Sequence, residues 1–368
     1  MTLKENLGYL YFIVPYVFLA DNKFGLIFSV LTGSSVYKVK IQNQIIQIPK
    51  SRFSTLRDLL GCLTYAQSYS IDSTKILKIS FDENNFFEIP LTSIYFENAN
   101  LLELLYLGNK FGANFITKKT LNTDIREQTF KISSVNNRKV ITTSNGINFF
   151  IDSIHPGNTI YETFIKKIHL LNSKINWENK TVVDVGAECG DTPLYFASLG
   201  TKVFAFEPLK KHYDFMLENL KLNSKLSERI IPINAAIGKD EHLKFFVSNQ
   251  NDEFGTAGAS FVYNNQNKNA KYENVIGFQL NTAREKFQIG HIDLLKMDCK
   301  GCEFFLSDED LKDIDRIKIE YSTHGQANKL ENLLKLLKQN GFQCMIYRHN
   351  ATSRFSNLVA ATVFASRI

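Results

Sequence analysis

The chain is poor in the features that mark secreted, membrane-spanning and nucleic-acid-binding proteins. Its five cysteines are odd in number and irregularly spaced over 368 residues, which excludes the disulfide framework of a small secreted domain and favours a reducing, cytoplasmic location. The most apolar run, Leu7–Ala20, is too short to cross a bilayer, and no basic region with a small-residue cleavage site indicates a signal peptide. We expect this run to be a core segment, with a membrane-surface contact as the weaker alternative.

The chain also has no large excess of either positive or negative charge. The 43 Lys and Arg residues face 37 Asp and Glu residues, so the net charge is +6, and there is no long basic run. We therefore expect no nucleic-acid partner. Hydrophobic residues make up 44% of the chain and charged residues 22%, which are ordinary globular values, and the length predicts two domains.

Composition changes near residue 130, and residues 1–129 are expected to form a small α+β domain. Apolar runs and alternation predict strands at Phe24–Leu31, Val36–Ile48 and Ile76–Phe81, with helices at Ser54–Tyr65 and Leu101–Leu107. No catalytic constellation is visible in this part. It fits a substrate-recognition, oligomerisation or purely structural domain, so a homo-oligomer stays open.

Residues 130–368 alternate strands with helices, which predicts a doubly wound, mostly parallel sheet covered on both faces. The expected helices are Pro193–Leu199, Lys210–Asn223 and Leu330–Gln339. A polar excursion at Ser248–Asn274 separates the second helix from the third. The expected strands are Thr181–Val185, Val203–Phe206, Ile230–Ile233, Ile292–Met297, Arg316–Tyr321, Phe342–Tyr347 and Leu358–Ser366. A polar connection joins the last two strands, which indicates an antiparallel pair at one edge.

A small-residue turn follows the first of these strands. Gly186 and Ala187 come directly after Val185, and Gly190 follows four residues after Gly186. The backbone can therefore turn tightly and approach a ligand, and the next helix can begin at Gly190. The four-residue spacing of the two glycines is not the G-x-G-x-x-G of dinucleotide binders. Asp184 at the strand end needs hydrogen-bond donors, because a buried carboxylate is costly without them.

Glu207 ends the next strand, 21 positions after Gly186. Doubly wound folds place an acid at this point against the hydroxyls of a ribose. A glycine turn and an acid at this spacing together predict a ribosyl cofactor, whereas either feature alone is weak.

These residues resemble the FkbM family of S-adenosylmethionine-dependent methyltransferases. The likeness rests on residues 184–192, 206–208, 219–223 and 292–303, and runs from about Phe130 to the C-terminus. The resemblance implies a class I methyltransferase (Rossmann-like) fold and O-methylation of hydroxyls on sugars or natural products. For the cofactor it implies contacts to the methionine part from Asp184, Gly186 and Gly190, to the ribose from Glu207, and to the adenine from the loop of Asn234 and Ala235.

Two positions depart from the family pattern. Lys300 stands where members usually carry an acid, and Glu188 where they commonly have Asn. Lys300 is next to the expected reaction centre, so its reversed charge indicates either a different, anionic acceptor or an internal ion pair with Asp298 or Glu303.

Three acids and one histidine are candidate catalytic residues at the carboxyl edge of the sheet. Asp298, Glu303 and Glu320 could orient a hydroxyl, accept its proton or hold a divalent cation, although Glu303 also suits a helix start and Glu320 a salt bridge. His324, expected on a loop above the sheet, has the near-neutral pKa of a general base or is a plain surface residue.

Cys299 and Cys302 have the spacing of a redox pair or half a zinc site. No second C-x-x-C or His pair accompanies them, so small residues near a cofactor are the simpler explanation and no metal is expected.

The sequence therefore predicts methylation of a hydroxyl on a sugar, glycolipid or similar small molecule. The alternative is a catalytically altered S-adenosylmethionine-binding protein with a recognition or structural role. A dehydrogenase is disfavoured by the missing G-x-G-x-x-G.

Overall fold

The computed structural model describes residues 3–82, 86–94, 98–110, 114–116, 129–170, 175–247, 271–299, 301–324, 327–348 and 358–367. The chain divides into two compact units, Met1–Lys166 (unit 1) and Lys167–Ile368 (unit 2). The composition change near residue 130 falls inside a strand of unit 1. Whether residues 130–166 are needed by unit 2 stays a prediction.

Unit 1 combines helices with small sheets. Its helices are α1 (Leu3–Ile13), α2 (Lys23–Thr32), α3 (Phe53–Tyr65) and α4 (Ala99–Lys110), followed by a π-helix at Gly157–Ile165. Its strands are β1 (Val36–Ile41), β2 (Gln44–Pro49), β3 (Ser68–Ile71), β4 (Ile76–Ser80), β5 (Phe86–Pro90), β6 (Asn114–Ile116), β7 (Thr129–Val135), β8 (Arg138–Thr142) and β9 (Asn148–Phe150). They pair as β1-β2, β3-β4-β5 and β6-β7-β8-β9.

The expectation of a strand at Phe24–Leu31 is wrong, because these residues lie in α2. A short continuous apolar run fits a buried strand and a helix equally well, and here the end of the run decides. Gly33 adopts φ +70° and its N–H binds the carbonyls of Ser29 and Val30, a glycine cap that closes a helix. The alternating segment after it does form strands, as the hairpin β1-β2.

Unit 2 is built on a seven-stranded sheet. Its strands are β10 (Thr181–Val185), β11 (Lys202–Phe206), β12 (Ile230–Ile233), β16 (Leu294–Met297), β17 (Arg316–His324), β18 (Gln343–Arg348) and β19 (Leu358–Ser366). A small separate sheet contains β13 (Ala236–Ile237), β14 (His242–Val247) and β15 (Lys271–Phe278). The helices are α5 (Asp191–Ser198), α6 (Lys210–Leu222), α7 (Ser224–Ser227), α8 (Leu280–Lys286) and α9 (Ala327–Gln339).

The seven-stranded sheet has the order β12-β11-β10-β16-β17-β19-β18. The first five strands are parallel, and β19 is antiparallel to both of its neighbours. This is the predicted class I methyltransferase fold, with the predicted antiparallel pair at one edge. Val185 pairs with Phe206 and with Met297, and Phe206 pairs with Ile233, so the carboxyl ends of β10, β11, β12 and β16 are level.

Element bounds differ from the prediction mainly at ends. Helix α5 begins at Asp191 rather than Pro193, and β17 continues to His324 rather than stopping at Tyr321. The expected polar excursion is partly structured, since Lys271 already belongs to β15, while residues 248–270 lie outside the described residues. None of the helices among the described residues is long and apolar enough to span a membrane.

Candidate active site

The glycine turn after β10 packs against the loop after β16. Gly186 has φ +82°, and the N–H groups of Gly186 and Ala187 donate to the carbonyl of Phe206 at 2.9 and 3.0 Å. A Cβ at Gly186 would meet the Asp298 carbonyl oxygen at 2.2 Å. Glycine is therefore required here both by the backbone conformation and by the close approach of Asp298.

The rest of the turn is fixed by helix α6. Gly190 precedes α5 with φ +85°, and a Cβ there would meet Met216 Cγ at 2.9 Å. The buried Asn219 side chain donates to the Cys189 carbonyl at 3.0 Å. Glu188 has φ +45°, a left-handed conformation that suits Asn better than Glu, which is a physical reason for Asn at this position in the family.

Glu207 lies at the end of β11 and is almost completely buried. Its Oε2 accepts the Glu188 N–H and its Oε1 accepts the Leu209 N–H, both at 2.9 Å. Burial raises the pKa of Glu207 to about 8, although both N–H groups oppose this. His212 Nδ1 is 3.8 Å from Oε1. The carboxylate thus connects the glycine turn to the start of α6.

Asn234 and Ala235 follow β12 at the same edge. The Asn234 amide donates to the carbonyls of Glu207 at 2.8 Å and Pro208 at 3.0 Å, so this side chain holds the neighbouring loop. Ala235 is buried. Both residues are level with Glu207 because Phe206 pairs with Ile233.

Asp184 forms a buried ion pair that the sequence interpretation did not identify. Its Oδ1 accepts a hydrogen bond from Lys296 Nζ at 2.7 Å, and both side chains are at most 3% exposed. Its Oδ2 makes no direct hydrogen bond among the described residues, although the Thr192 side chain also acts to lower the pKa of Asp184. Burial raises the pKa of Asp184, against the opposing effect of Lys296. Burial alone would lower the pKa of Lys296, but Asp184 and Asp298 outweigh it, so that pKa is raised.

A second buried lysine lies beside the first. Lys318 of β17 is in register with Lys296 of β16, and its Nζ is 2.7 Å from Nδ1 of the buried His169. Burial and the two lysines hold the pKa of His169 well below its usual range, so the imidazole is neutral. The available sequence signal was a lysine between two apolar residues of a strand, which occurs at Lys296 in β16 and at Lys318 in β17.

The three acids among the candidate catalytic residues lie in the loop after β16 and on β17. Asp298 is half-buried, donates its N–H to the Val185 carbonyl at 2.9 Å and directly follows β16. Glu303 is in the same loop, is 1% exposed, and accepts the Gly301 N–H on Oε2 at 2.7 Å. Glu320 is half-buried in β17, level with Asp298 because Met297 pairs with Ile319.

The expectation that His324 lies on a loop is wrong. It is the last residue of β17 and pairs with Leu358 of β19. Its backbone is about 13 Å beyond Glu320, since a strand rises about 3.3 Å per residue. The longer antiparallel pairing with β19 extends the strand past the point at which the apolar pattern ends.

Cys299 and Cys302 form a disulfide, so the simpler explanation as unlinked small residues is wrong. Gly301, with φ +130°, turns the chain between them and their Cα atoms are 5.5 Å apart. Ligand atoms of both cysteines and of Glu303 lie within 4.8 Å of one another, but the two sulfurs are bonded to each other. Lys300 lies outside the described residues.

Solved structures with some likeness to this chain include proteins that are described as methyltransferases. Precorrin-6y C5,15-methyltransferase from Geobacter metallireducens has 10% identity and a TM-score of 0.34, over 57% of this chain and 92% of that one. Trm5b from Pyrococcus abyssi has 12% identity and a TM-score of 0.34, over 65% of this chain and 63% of that one. The METTL16 methyltransferase domain has 12% identity and a TM-score of 0.36, over 82% of this chain and 87% of that one. These likenesses are too low to indicate a substrate or mechanism.

No curated protein matches the chain, whereas one family model does. Residues 184–344 match the model of the methyltransferase FkbM domain, which begins at Asp184 and ends beyond α9. The match includes the glycine turn, Glu207, the buried Asp184–Lys296 pair and the loop of Asp298 and Glu303. The protein is therefore an S-adenosylmethionine-dependent methyltransferase that carries an FkbM domain.

Proposed function

We propose that this methyltransferase acts on a hydroxyl oxygen of a sugar, glycolipid or similar small molecule. The observation that carries the proposal is Asp298, a half-exposed carboxylate whose backbone touches Gly186 at the carboxyl edge of the sheet. A hydroxyl must lose its proton when it is methylated, and a carboxylate beside the cofactor turn can accept that proton.

The residues around the turn fit S-adenosylmethionine. Asp184 Oδ2 is a buried acceptor atom without a hydrogen bond among the described residues, which suits a donor such as the ammonium of the methionine part. Glu207 accepts two backbone N–H groups and has further lone pairs for ribose hydroxyls. Gly186, Ala187 and Gly190 would leave room for the methionine part, and Asn234 and Ala235 would border the adenine.

Bound S-adenosylmethionine would supply an electrophilic methyl carbon, to which the acceptor oxygen would form a C–O bond as the C–S bond breaks and its electron pair stays on sulfur. Asp298 receives the hydroxyl proton. Glu303 and Glu320, in the same loop and on the neighbouring strand, would orient the acceptor. Most of the rate enhancement comes from holding the acceptor oxygen in line with the methyl group, so rigid placement of this loop matters.

Asp298→Asn tests the proposed base. We expect kcat with a hydroxyl acceptor to fall about a hundredfold or more, because the amide cannot accept the proton. Affinity for S-adenosylmethionine, measured by calorimetry, should change little. Asp313→Asn is the matched control, since Asp313 is a 75% exposed carboxylate with φ +54°, a conformation that Asn tolerates.

Two results would redirect the assignment. Unchanged kcat in Asp298→Asn would remove Asp298 as the base. Tight binding of S-adenosylhomocysteine, with no turnover of S-adenosylmethionine on any hydroxyl acceptor, would favour the catalytically altered binding protein. Lys300→Glu then separates the two interpretations of Lys300: loss of turnover with an anionic acceptor alone indicates acceptor contact, and loss of stability indicates an internal ion pair.

A further inference from the structure

Large apolar side chains are exposed in α1, in α2 and in the segment between these two helices. They lie between residues 7 and 28 and are 50–77% exposed. We call them the apolar α1–α2 face, and its members are Leu7, Tyr11, Phe12, Val14, Phe18, Phe24 and Phe28. This differs from the expectation that Leu7–Ala20 is a core segment, which holds for Ile13, Val17 and Ala20.

Helix α2 is apolar on two sides. Leu26 and Val30 are fully buried against unit 1, while Phe24 and Phe28 form a second stripe, four residues apart, that faces solvent. A surface helix of a globular protein normally presents polar residues on its outer side. A cluster of exposed apolar residues of this kind marks a surface that contacts a partner or a membrane.

Basic residues surround both ends of α2. Lys23 Nζ is 5.8 Å from the Phe24 ring. The Asn22 side chain bonds to the backbone of Lys38 and Lys40, which brings these lysines to the start of the helix. Lys50 Nζ donates to the Gly33 carbonyl at 2.9 Å, at the other end.

The charge around the face selects its occupant. Residues 1–52 contain six Lys and Arg and two Asp and Glu, a net charge of +4 out of +6 for the whole chain. A second copy of the chain would bring the same positive charge against this face, and like charges repel. An anionic lipid surface offers both acyl chains for the aromatic rings and negative headgroups for the lysines.

We propose that the apolar α1–α2 face docks unit 1 onto an anionic membrane surface. With 11 and 10 residues, α1 and α2 are each about 16 Å long, about half of the thickness of the hydrocarbon layer, so they lie on the membrane and do not cross it. The proposal does not depend on the acceptor or on the residues of the active site.

The test is co-sedimentation of the full chain with vesicles. We expect binding to vesicles of phosphatidylcholine with phosphatidylglycerol, weaker binding to phosphatidylcholine alone, and a loss of binding at high salt. Phe24→Ser with Phe28→Ser should weaken binding about tenfold or more, because two aromatic rings no longer leave water. Lys23→Glu with Lys38→Glu should weaken binding to the anionic vesicles alone.

The matched control removes exposed apolar residues from unit 2. Met345→Ser with Tyr347→Ser, both 64% exposed on β18, should bind vesicles like the wild type. All variants change exposed side chains, so their melting temperatures should stay close to that of the wild type. The proposal is overturned if the wild type does not bind anionic vesicles, or if the control loses binding equally. It is also overturned if ultracentrifugation shows a dimer that the Phe24 and Phe28 substitutions dissociate, since a second copy then covers the face.

Discussion

Lys296 donates a hydrogen bond to Asp184 at 2.7 Å from the neighbouring parallel strand, with both residues in register and almost completely buried. The pair places a fixed positive charge directly behind the carboxylate at the start of the glycine turn. Asp184 is thereby held in one orientation, with Oδ1 bound to Lys296 and Oδ2 without a partner among the described residues. A carboxylate this deeply buried stays charged only when such a partner compensates for the lost hydration.

Lys296→Met should therefore weaken cofactor binding in a pH-dependent way. Burial raises the pKa of Asp184, and loss of Lys296 removes the largest opposing effect, so the pKa rises further and the carboxyl binds a proton more readily. We expect affinity for S-adenosylmethionine to fall about tenfold or more at neutral pH and to recover as the pH rises. Stability should fall by about 3–5 kcal/mol, the typical cost of breaking a buried ion pair. Calorimetry over a pH series measures the affinity.

Two further variants separate charge from packing. Lys318→Met also removes a buried lysine from the same face of the sheet, but it should leave the pH profile of cofactor binding as in the wild type. Asp184→Asn with Lys296→Met should regain part of the lost stability, because no unpaired charge remains, and should bind the cofactor weakly at all pH values. A pH-independent affinity in Lys296→Met would contradict the proposed role of the pair.

Glu207 should make the protein less stable as the pH rises. Its pKa is about 8 in the folded protein against 4.5 in the unfolded chain, so between these values the folded state holds a proton that the unfolded state has released. The free energy of unfolding then decreases with pH across this window and is restored below pH 4.5. The decrease in the free energy of unfolding is on the order of 5 kcal/mol from this group alone.

Glu207→Gln isolates this effect because Gln does not ionise. Denaturant unfolding of both proteins at pH 5 and pH 8 should show the wild type losing stability relative to the variant. A constant difference would mean that Glu207 ionises normally in the folded protein. In calorimetry above pH 8, where Glu207 is ionised, Glu207→Ala should lose about 1.5–3 kcal/mol of S-adenosylmethionine affinity, the worth of a charge-assisted hydrogen bond to ribose.

Gly186→Ala should be more harmful than an alanine at a glycine with the same backbone conformation. Gly186 and Gly341 both have φ +82°, but a Cβ at Gly341 meets nothing within 4 Å, whereas one at Gly186 meets the Asp298 carbonyl at 2.2 Å. Gly341→Ala should cost about 1–2 kcal/mol from backbone strain alone. Gly186→Ala should cost more and also reduce turnover, because the Asp298 loop must move.

Gly290→Ala is the control without either effect, since Gly290 has open space and no positive φ. Thermal unfolding and methyl transfer should rank the three variants in the order Gly290, Gly341, Gly186. Equal effects at Gly186 and Gly341 would show that the loop after β16 yields without cost.

Residues 130–368 should fold and melt cooperatively without residues 1–129, since the complete sheet of unit 2 supplies its own core. Expression of 130–368 beside 167–368 also tests where the boundary lies. If only the longer fragment is cooperative, then β7 to the π-helix belongs to the functional domain even though it lies in unit 1. Two insoluble fragments would mean that unit 2 depends on the N-terminal residues.

The sequence alone determined the chain order of the strands in the seven-stranded sheet and the edge at which the glycine turn and Glu207 lie. Strand β10 has its predicted bounds, and the glycine turn and Glu207 follow two strands whose ends are level. These features are local: an apolar run, a glycine that permits a left-handed turn, and an acid at a strand end can be recognised within a few residues.

The tertiary structure decided which charged groups meet. Asp184 and Lys296 are 112 residues apart in the chain, and the register of adjacent strands brings them within 2.7 Å. His169 lies in a turn 149 residues from Lys318, and the packing of that turn against the sheet brings their nitrogens within 2.7 Å. It also decided that Cys299 and Cys302 are bonded through the turn at Gly301. Burial decides which charged groups pair, because a charge that is removed from water must find its partner inside the fold.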